Sequence, residues 1–276
     1  MFKSNRNPQF RSKFSEDIFY NKYSHEGAET FHELACTLVE DVCQDHLTKD
    51  EKEELIDHIS NLRFLPGGRY LYYAGREKKF FNNCYLLNAE EDTREDWANL
   101  SWKSESCLMT GGGIGVDYSI YRSEGKPLKG TGGVSSGPIP KMEMINSIGQ
   151  KVIQGGSRRS AIYASLNWKH DDIDKFLIAK NWSDMPVGST GKTLFDIKLE
   201  DFNFPAPLDM TNISVNYDTE WLLNYWETGE IGDVFRNNIS QALRTGEPGF
   251  SFNFFEKENE TLRNACTEVT SEDDSD

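Results

Sequence analysis

From about Ala28 to Leu47 the apolar positions Phe31, Leu34, Ala35, Leu38, Val39 and Val42 recur at intervals of three and four, which predicts an amphipathic helix. Cys36 and Cys43 flank that stripe and read as residues at the edge of a core. A second helix is predicted from Thr48, an N-cap with Glu51 three residues on, to about Leu62, with Leu55, Ile56 and Ile59 inward. Pro66-Gly67-Gly68 is expected to end helical structure. Residues 1–75 therefore read as a helical N-terminal region. From residue 76 the pattern changes. Short apolar runs at Cys84–Leu87, Ile114–Ser119, Ser160–Leu166, Ile213–Tyr217 and Gly249–Phe254 predict strands. Helical periods near Glu95–Met109, Pro138–Ile153, Ile173–Lys180, Glu220–Glu227 and Ile231–Arg244 lie between them. This alternation predicts an α/β fold with a parallel sheet, and five such units without a closing set predict half of something larger.

Composition narrows the function. The chain has 276 residues, 37% of them hydrophobic, enough to bury a core. Its 30 Lys+Arg against 45 Asp+Glu give a net charge of −15, which argues against coating nucleic acid by phosphate neutralisation. No stretch approaches the apolar length of a membrane span, and Met1-Phe2-Lys3-Ser4-Asn5-Arg6 lacks the core of a secretory signal, so the cytoplasm is the expected location, with no DNA or membrane partner. The five cysteines, Cys36, Cys43, Cys84, Cys107 and Cys266, include no Cys-x-x-Cys pair and no His at ligand spacing; no metal site is expected from them.

Several glycine-rich stretches test for phosphate binding. Val187-Gly188-Ser189-Thr190-Gly191-Lys192-Thr193 lacks the leading glycine of a phosphate loop, which is Pro186 here, and reads as a polar connection. Gly111-Gly112-Gly113-Ile114-Gly115 follows a helix and precedes a strand, the reverse of the dinucleotide-binding order, and reads as a helix-ending turn with close packing. Two donor-rich loops, Gly130–Pro138 and Gln154–Arg159, bracket a predicted helix and together suit a nucleotide site. The strongest chemistry lies near the end. If the segment is extended, Asn264, Cys266 and Glu268 project to one side and present an amide, a thiol and a carboxylate to one space. A thiol can hold a radical or act as nucleophile, and a carboxylate can act as base.

Eight motifs stand in order: Pro66-Gly67-Gly68-Arg69-Tyr70, Asn83-Cys84-Tyr85, Asp92-Thr93-Arg94-Glu95, Gly111–Gly115, Ser135–Pro138, Gln154–Arg159, Thr245-Gly246-Glu247-Pro248-Gly249 and Asn264–Glu268. By them the chain resembles the catalytic subunit of ribonucleotide reductase, from about residue 14 to 276. The resemblance implies the first half of a ten-stranded α/β barrel over residues 76–276, five parallel strands with their helices, ending in a finger loop. It implies that Cys266 is the thiyl-radical site acting on the ribose 3′ carbon, Glu268 the base on the 3′ hydroxyl, Asn264 the amide holding the hydroxyls and Cys84 the first of two redox cysteines. Gly67, Gly68, Arg69, Asn83 and Gly113 fall where the family contacts its ribonucleotide substrate. Asp92, Arg122, Gln154, Arg158 and Arg159 fall at the site of an allosteric effector, a deoxynucleoside triphosphate or ATP, with the loop near Lys126–Gly133 close by. A thiol reductant of the thioredoxin type is implied, and a homodimer is compatible with it.

The sequence departs from the family pattern in two places. The start has no room for an ATP-cone, and Gly67–Tyr70 with Gly111–Gly115 looks closest to the adenosylcobalamin-dependent class, so adenosylcobalamin is the expected radical source. The sequence also stops in the finger loop, before the expected second redox cysteine. The expected partner is a C-terminal half, supplied as a separate chain or by splicing, without which the fragment is expected to be inactive. Two alternatives are an inert deoxynucleotide-binding fragment and another radical-barrel enzyme of the glycyl-radical kind.

Overall fold

A computed structural model describes residues 10–130, 132–152 and 160–271. The chain divides into two compact units, Met1–Asn83 and Cys84–Asp276. The N-terminal unit holds helices α1 (Lys13–Ile18), α2 (Phe31–Cys43), α3 (Lys49–Ser60) and α4 (Gly68–Tyr73). Capping boxes open α2 and α3: the side chains of Thr30 and Thr48 accept from the amides of Glu33 and Glu51, whose carboxylates accept from the capping residues' own amides at 2.8 Å each. The stripe read from the sequence, Phe31, Leu34, Ala35, Leu38 and Val39, is buried with Phe19, Ile59 and Leu71. Val42 lies outside it, exposed near the helix end. The expectation that Pro66-Gly67-Gly68 ends helical structure needs correcting. The glycine pair opens α4 instead, because Gly67 serves as its N-cap in an extended conformation and the four residues after Gly68 are good helix or aromatic positions.

The second unit is a five-stranded parallel sheet in the order β1 (Cys84–Leu87), β2 (Gly113–Asp117), β3 (Ile162–Asn167), β4 (Thr211–Tyr217) and β5 (Gly249–Phe252). Helices α5 (Arg94–Met109), α6 (Pro138–Lys151), α7 (Ile173–Leu177), α8 (Leu194–Glu200), α9 (Thr219–Thr228) and α10 (Gly232–Thr245) form the crossovers that parallel pairing requires. All five predicted strands and their parallel alternation are found. The sheet does not close on itself, and β1 and β5 are its edges. Among the described residues of this unit, one α-helix was not predicted: α8 has its own capping box between Thr193 and Asp196. The polar stretch ahead of it closes on itself, with Val187 N donating to Lys192 O at 3.0 Å. Among the described residues, no helix is long and apolar enough to cross a membrane.

Alternation along the strands separates two faces. Leu87, Ile114, Val116, Ile162, Ala164, Leu166, Ile213, Val215 and Tyr217 face the helices and form the core with Leu100, Leu108, Met142, Ile145 and Phe176. A cation lies in this layer. Lys141 of α6 is 0% exposed; its ammonium donates to the Trp97 carbonyl and the Ser101 hydroxyl of α5 and sits 5.2 Å from the Trp97 ring centre. Burial pulls its pKa from the ordinary 10.5 down to about 8, a drop that the Asp96 charge only partly offsets. The folded state therefore sheds this proton first, and Lys141 makes the protein more stable as pH rises from about 8 to 10.5. Buried Tyr118, Tyr121 and Tyr217 act in the opposite sense above pH ~10, since burial keeps them protonated while the unfolded phenols ionise. The difference between wild type and Lys141→Met isolates the lysine. Denaturant unfolding from pH 7 to 10.5 is expected to show the variant ~1–3 kcal/mol more stable at pH 7, with the gap closing toward pH 10.5. A constant gap would refute the assignment.

Candidate active site

The opposite face of the sheet is small and polar. Strand register aligns Cys84 with Gly113, Leu86 with Gly115, Gly115 with Tyr163, and Asp117 with Ser165. On the other side Ser165 meets Ser214, Asn167 meets Asn216, Ser214 meets Gly249, and Asn216 meets Ser251. A hairpin of β6 (Leu262–Arg263) and β7 (Thr270–Ser271) lies on this face against β1 and β2. Glycine makes room for it. A Cβ on Gly115 would fall 1.6 Å from the Arg263 carbonyl oxygen, and one on Gly113 would fall 2.7 Å from the Ala265 Cβ.

Polar side chains fix the hairpin stem. The Arg263 guanidinium donates to Ser251 Oγ at 2.6 Å and to Asn253 Oδ1 at 2.7 Å, both just beyond or on β5. Asp117 accepts from the Ser119 amide and hydroxyl, while Asn216 Nδ2 donates to both Asp117 Oδ2 and Ser165 Oγ at 3.1 Å. Burial pushes the Asp117 carboxyl above the ordinary carboxylate range. Sequence reading missed these anchors. Their signal was the period-two series Gly113-x-Gly115-x-Asp117, Tyr163-x-Ser165-x-Asn167 and Gly249-x-Ser251-x-Asn253, polar on the face opposite the apolar alternation.

The hairpin tip carries the chemistry, but not in the extended form expected. Residues 264–268 make a tight turn: Thr267 N donates to Asn264 O at 2.9 Å, and Thr267 has φ +67°. Extended spacing does not apply to a turn, so Asn264 parts from the other two side chains. Asn264 is 2% exposed, and its Oδ1 accepts from Val269 N at 3.0 Å, holding the turn closed. Cys266 and Glu268 are exposed and come together with half-buried Cys84 at the start of β1. The two Sγ atoms and a carboxylate oxygen of Glu268 all lie within 4.8 Å of one another. A residue of β1 and two of a turn far along the chain thus share one cluster, a pair of thiols beside a carboxylate that can exchange protons, electrons or hydrogen atoms with a group bound among them.

The other predicted site residues are distributed as follows. Gly113 opens β2 and packs against Ala265. In the N-terminal unit, Gly67 caps α4, Gly68 begins it, buried Arg69 donates to the Phe80 carbonyl at 3.0 Å, and Asn83 is the last residue of that unit. Asp92 and Arg122 are brought together: the Arg122 guanidinium donates to the Asp92 carboxylate, to the Asp92 carbonyl at 2.9 Å and to the Pro127 carbonyl at 3.2 Å. Beside them an open cavity of about 470 Å³ is lined by Arg122, Ser123, Lys126, Lys169 and His170. Gln154, Arg158 and Arg159 lie outside the described residues.

With this geometry in view, residues 82–203 match the family model described as ribonucleotide reductase, barrel domain. Over that stretch the chain is a ribonucleotide reductase barrel domain. The matched stretch runs from the first barrel strand through the end of α8, and so contains Cys84 and the glycines on which the hairpin sits. The chain is 27% identical over 246 residues to the ribonucleoside-diphosphate reductase subunit alpha of Chlamydia muridarum, covering 76% of this chain and 23% of that protein. It is 30% identical over 198 residues to the vitamin B12-dependent ribonucleoside-diphosphate reductase of Thermoplasma acidophilum, covering 70% of this chain and 24% of that one. The chain thus spans about a quarter of the length of these curated relatives. Among solved structures, the class Id ribonucleotide reductase alpha subunit of Actinobacillus ureae superposes with a TM-score of 0.66 at 14% identity, over 90% of this chain and 42% of that one. That likeness shows the reductase fold, with the open five-stranded sheet standing for part of a barrel.

Proposed function

We propose that this chain supplies the first half of a reductase barrel in which ribonucleotides lose the 2′ hydroxyl by thiyl-radical chemistry. The convergence of Cys84, Cys266 and Glu268 within 4.8 Å carries this reading. Cys266 as a sulfur radical takes a hydrogen atom from the ribose 3′ carbon and returns it at the end of the cycle. Glu268 takes the proton of the 3′ hydroxyl. The 2′ hydroxyl leaves as water on protonation by Cys84, which with a second cysteine gives two electrons and becomes a disulfide; an external thiol reductant of the thioredoxin type restores the pair. Asn264 contributes by holding the turn, and the substrate contacts expected of Gly67, Gly68, Arg69, Asn83 and Gly113 belong to the same reading.

The exposed thiol of Cys266 is open to an external radical source. Relatives named for vitamin B12 support adenosylcobalamin in that role. The chemistry such a group supplies is removal of the thiol hydrogen atom. The open sheet edges, with Phe250 and Phe252 of β5 37% and 46% exposed, support completion by five further strands carrying the second redox cysteine. The Asp92–Arg122 pair beside the cavity lined by Lys126, Lys169 and Asp171 supports a deoxynucleoside triphosphate or ATP as effector.

Co-expression with a C-terminal half tests the reading. Deoxyribonucleotide formation from ribonucleoside di- or triphosphates is expected only with both halves, a dithiol reductant and adenosylcobalamin present. Turnover without adenosylcobalamin would overturn the choice of radical source. A folded complex of both halves that reduces neither substrate would overturn the reductase reading itself.

A further inference from the structure

The same three side chains have a second chemistry, which concerns regulation of the proposed site. Two thiols and a carboxylate are ligands for a thiophilic divalent cation, and here they are gathered from β1 and the hairpin tip with all three ligand atoms within 4.8 Å of one another. Around a zinc ion, with Zn–S of about 2.3 Å and Zn–O of about 2.1 Å, neighbouring ligand atoms of a tetrahedron are roughly 3.5–3.8 Å apart. The cluster is therefore within about 1 Å of a ligating geometry. Cys266 and Glu268 stand exposed on a turn and can close that distance by side-chain rotation alone, leaving the sheet in place. No metal signature is visible along the sequence because the ligands come from opposite ends of the second unit.

We propose that Cys84, Cys266 and Glu268 bind one thiophilic divalent cation such as Zn²⁺, and that its occupancy silences the thiol pair. Binding converts two thiols to thiolates: one cation, two S–H groups and one carboxylate give a complex of net charge −1 and release two protons. A metal-bound thiolate has no S–H hydrogen left to give, as an atom or as a proton. Three protein ligands leave the fourth position for water. The ion would also clip the hairpin to β1, adding to the seat it already has on Gly113 and Gly115 of β2.

The test uses the whole chain, reduced and metal-free, titrated anaerobically with Cd²⁺ or Co²⁺ while thiolate-to-metal charge-transfer absorbance is followed, with Zn²⁺ as competitor. One equivalent is expected to saturate the band, with two protons released near neutral pH. Cys84→Ser and Cys266→Ser are each expected to weaken Zn²⁺ binding by roughly a hundredfold or more, and Glu268→Gln by about tenfold. Cys36→Ser and Cys107→Ser should leave it unchanged; Cys36 is the control of choice because its Sγ lies 3.7 Å from His32 Nε2. Far-UV circular dichroism of the metal-free variants checks folding, and if Cys84→Ser unfolds, the tip variants Cys266→Ser and Glu268→Gln decide. A band that survives Cys266→Ser, or is lost with Cys36→Ser, overturns the proposal, as does the absence of a band in wild type. The inference shares its site with the reductase reading, but binding is read on this chain alone and reduction on the complemented enzyme, so each can fail without the other.

Discussion

Cys84→Ser in the complemented enzyme is expected to abolish multiple turnover, and Cys266→Ser to lower reduction by ~10⁴-fold or more even in a single turnover. The two losses differ in kind. Reduction at the ribose 2′ position needs two electrons, and a dithiol delivers them by becoming a disulfide; with one sulfur replaced by oxygen there is no disulfide to form and no route for the external reductant to reset the site. In the proposed cycle Cys266 has another part, because a weak S–H bond allows a hydrogen atom to be taken and returned, and an O–H bond is too strong to serve. Both sulfurs lie within 4.8 Å of the Glu268 carboxylate oxygen, so under the proposed reading they act on one substrate. Rapid-quench assays with substrate in excess over enzyme measure the distinction. Sustained turnover by Cys84→Ser would exclude a dithiol mechanism and favour a radical barrel of the glycyl-radical kind, while activity in Cys266→Ser would remove the radical from this hairpin altogether.

The outward half of the barrel was legible in the sequence, and the inward half was not. Residues such as Ile114, Val116, Ile162, Ala164, Ile213 and Val215 alternate against helices of matching period, so the strands follow from burial of one apolar face and their parallel direction from the helices between them. The cap at Thr48 was equally plain, because a hydroxyl that accepts an amide three residues on is a local device. What was obscured depended on contacts across long stretches of chain. The helix Leu194–Glu200 was hidden because its cap, Thr193, is the last residue of a stretch that looks like a phosphate loop. The extended form expected of Asn264, Cys266 and Glu268 fails because Asn264 spends its side chain closing a turn, a choice made by docking on Gly113 and Gly115 rather than by local preference. Resemblance, not spacing, drew Cys84 into one set with Cys266 and Glu268, three side chains whose reactive atoms lie within 4.8 Å of one another.

Gly115→Ala is expected to unseat the hairpin while leaving the sheet intact. The added methyl would meet the Arg263 carbonyl oxygen at 1.6 Å and its carbon at 2.7 Å, and both are backbone atoms that no rotamer can move aside. One partner must shift. β2 is buried along its whole length and paired on both sides, whereas the hairpin is held by two strand residues on each arm and by Arg263 reaching Ser251 and Asn253. The hairpin is therefore the element that yields. The cost falls at the upper end of the overpacking range, ~3 kcal/mol, which corresponds to a roughly hundredfold loss of protection against local opening. Hydrogen exchange at the amides of Asn264, Thr267 and Val269, each bonded within the turn, reads that loss directly. Gly130→Ala, where no atom lies within 4 Å of the new methyl, serves as the control and should exchange like wild type at the same amides. Displacing the tip also carries Cys266 and Glu268 away from Cys84, so the variant should lose reduction in the complemented enzyme in the same step. Wild-type protection in Gly115→Ala would mean that the glycine does not set the seat of the hairpin, and the geometry on which the cluster depends would need another cause.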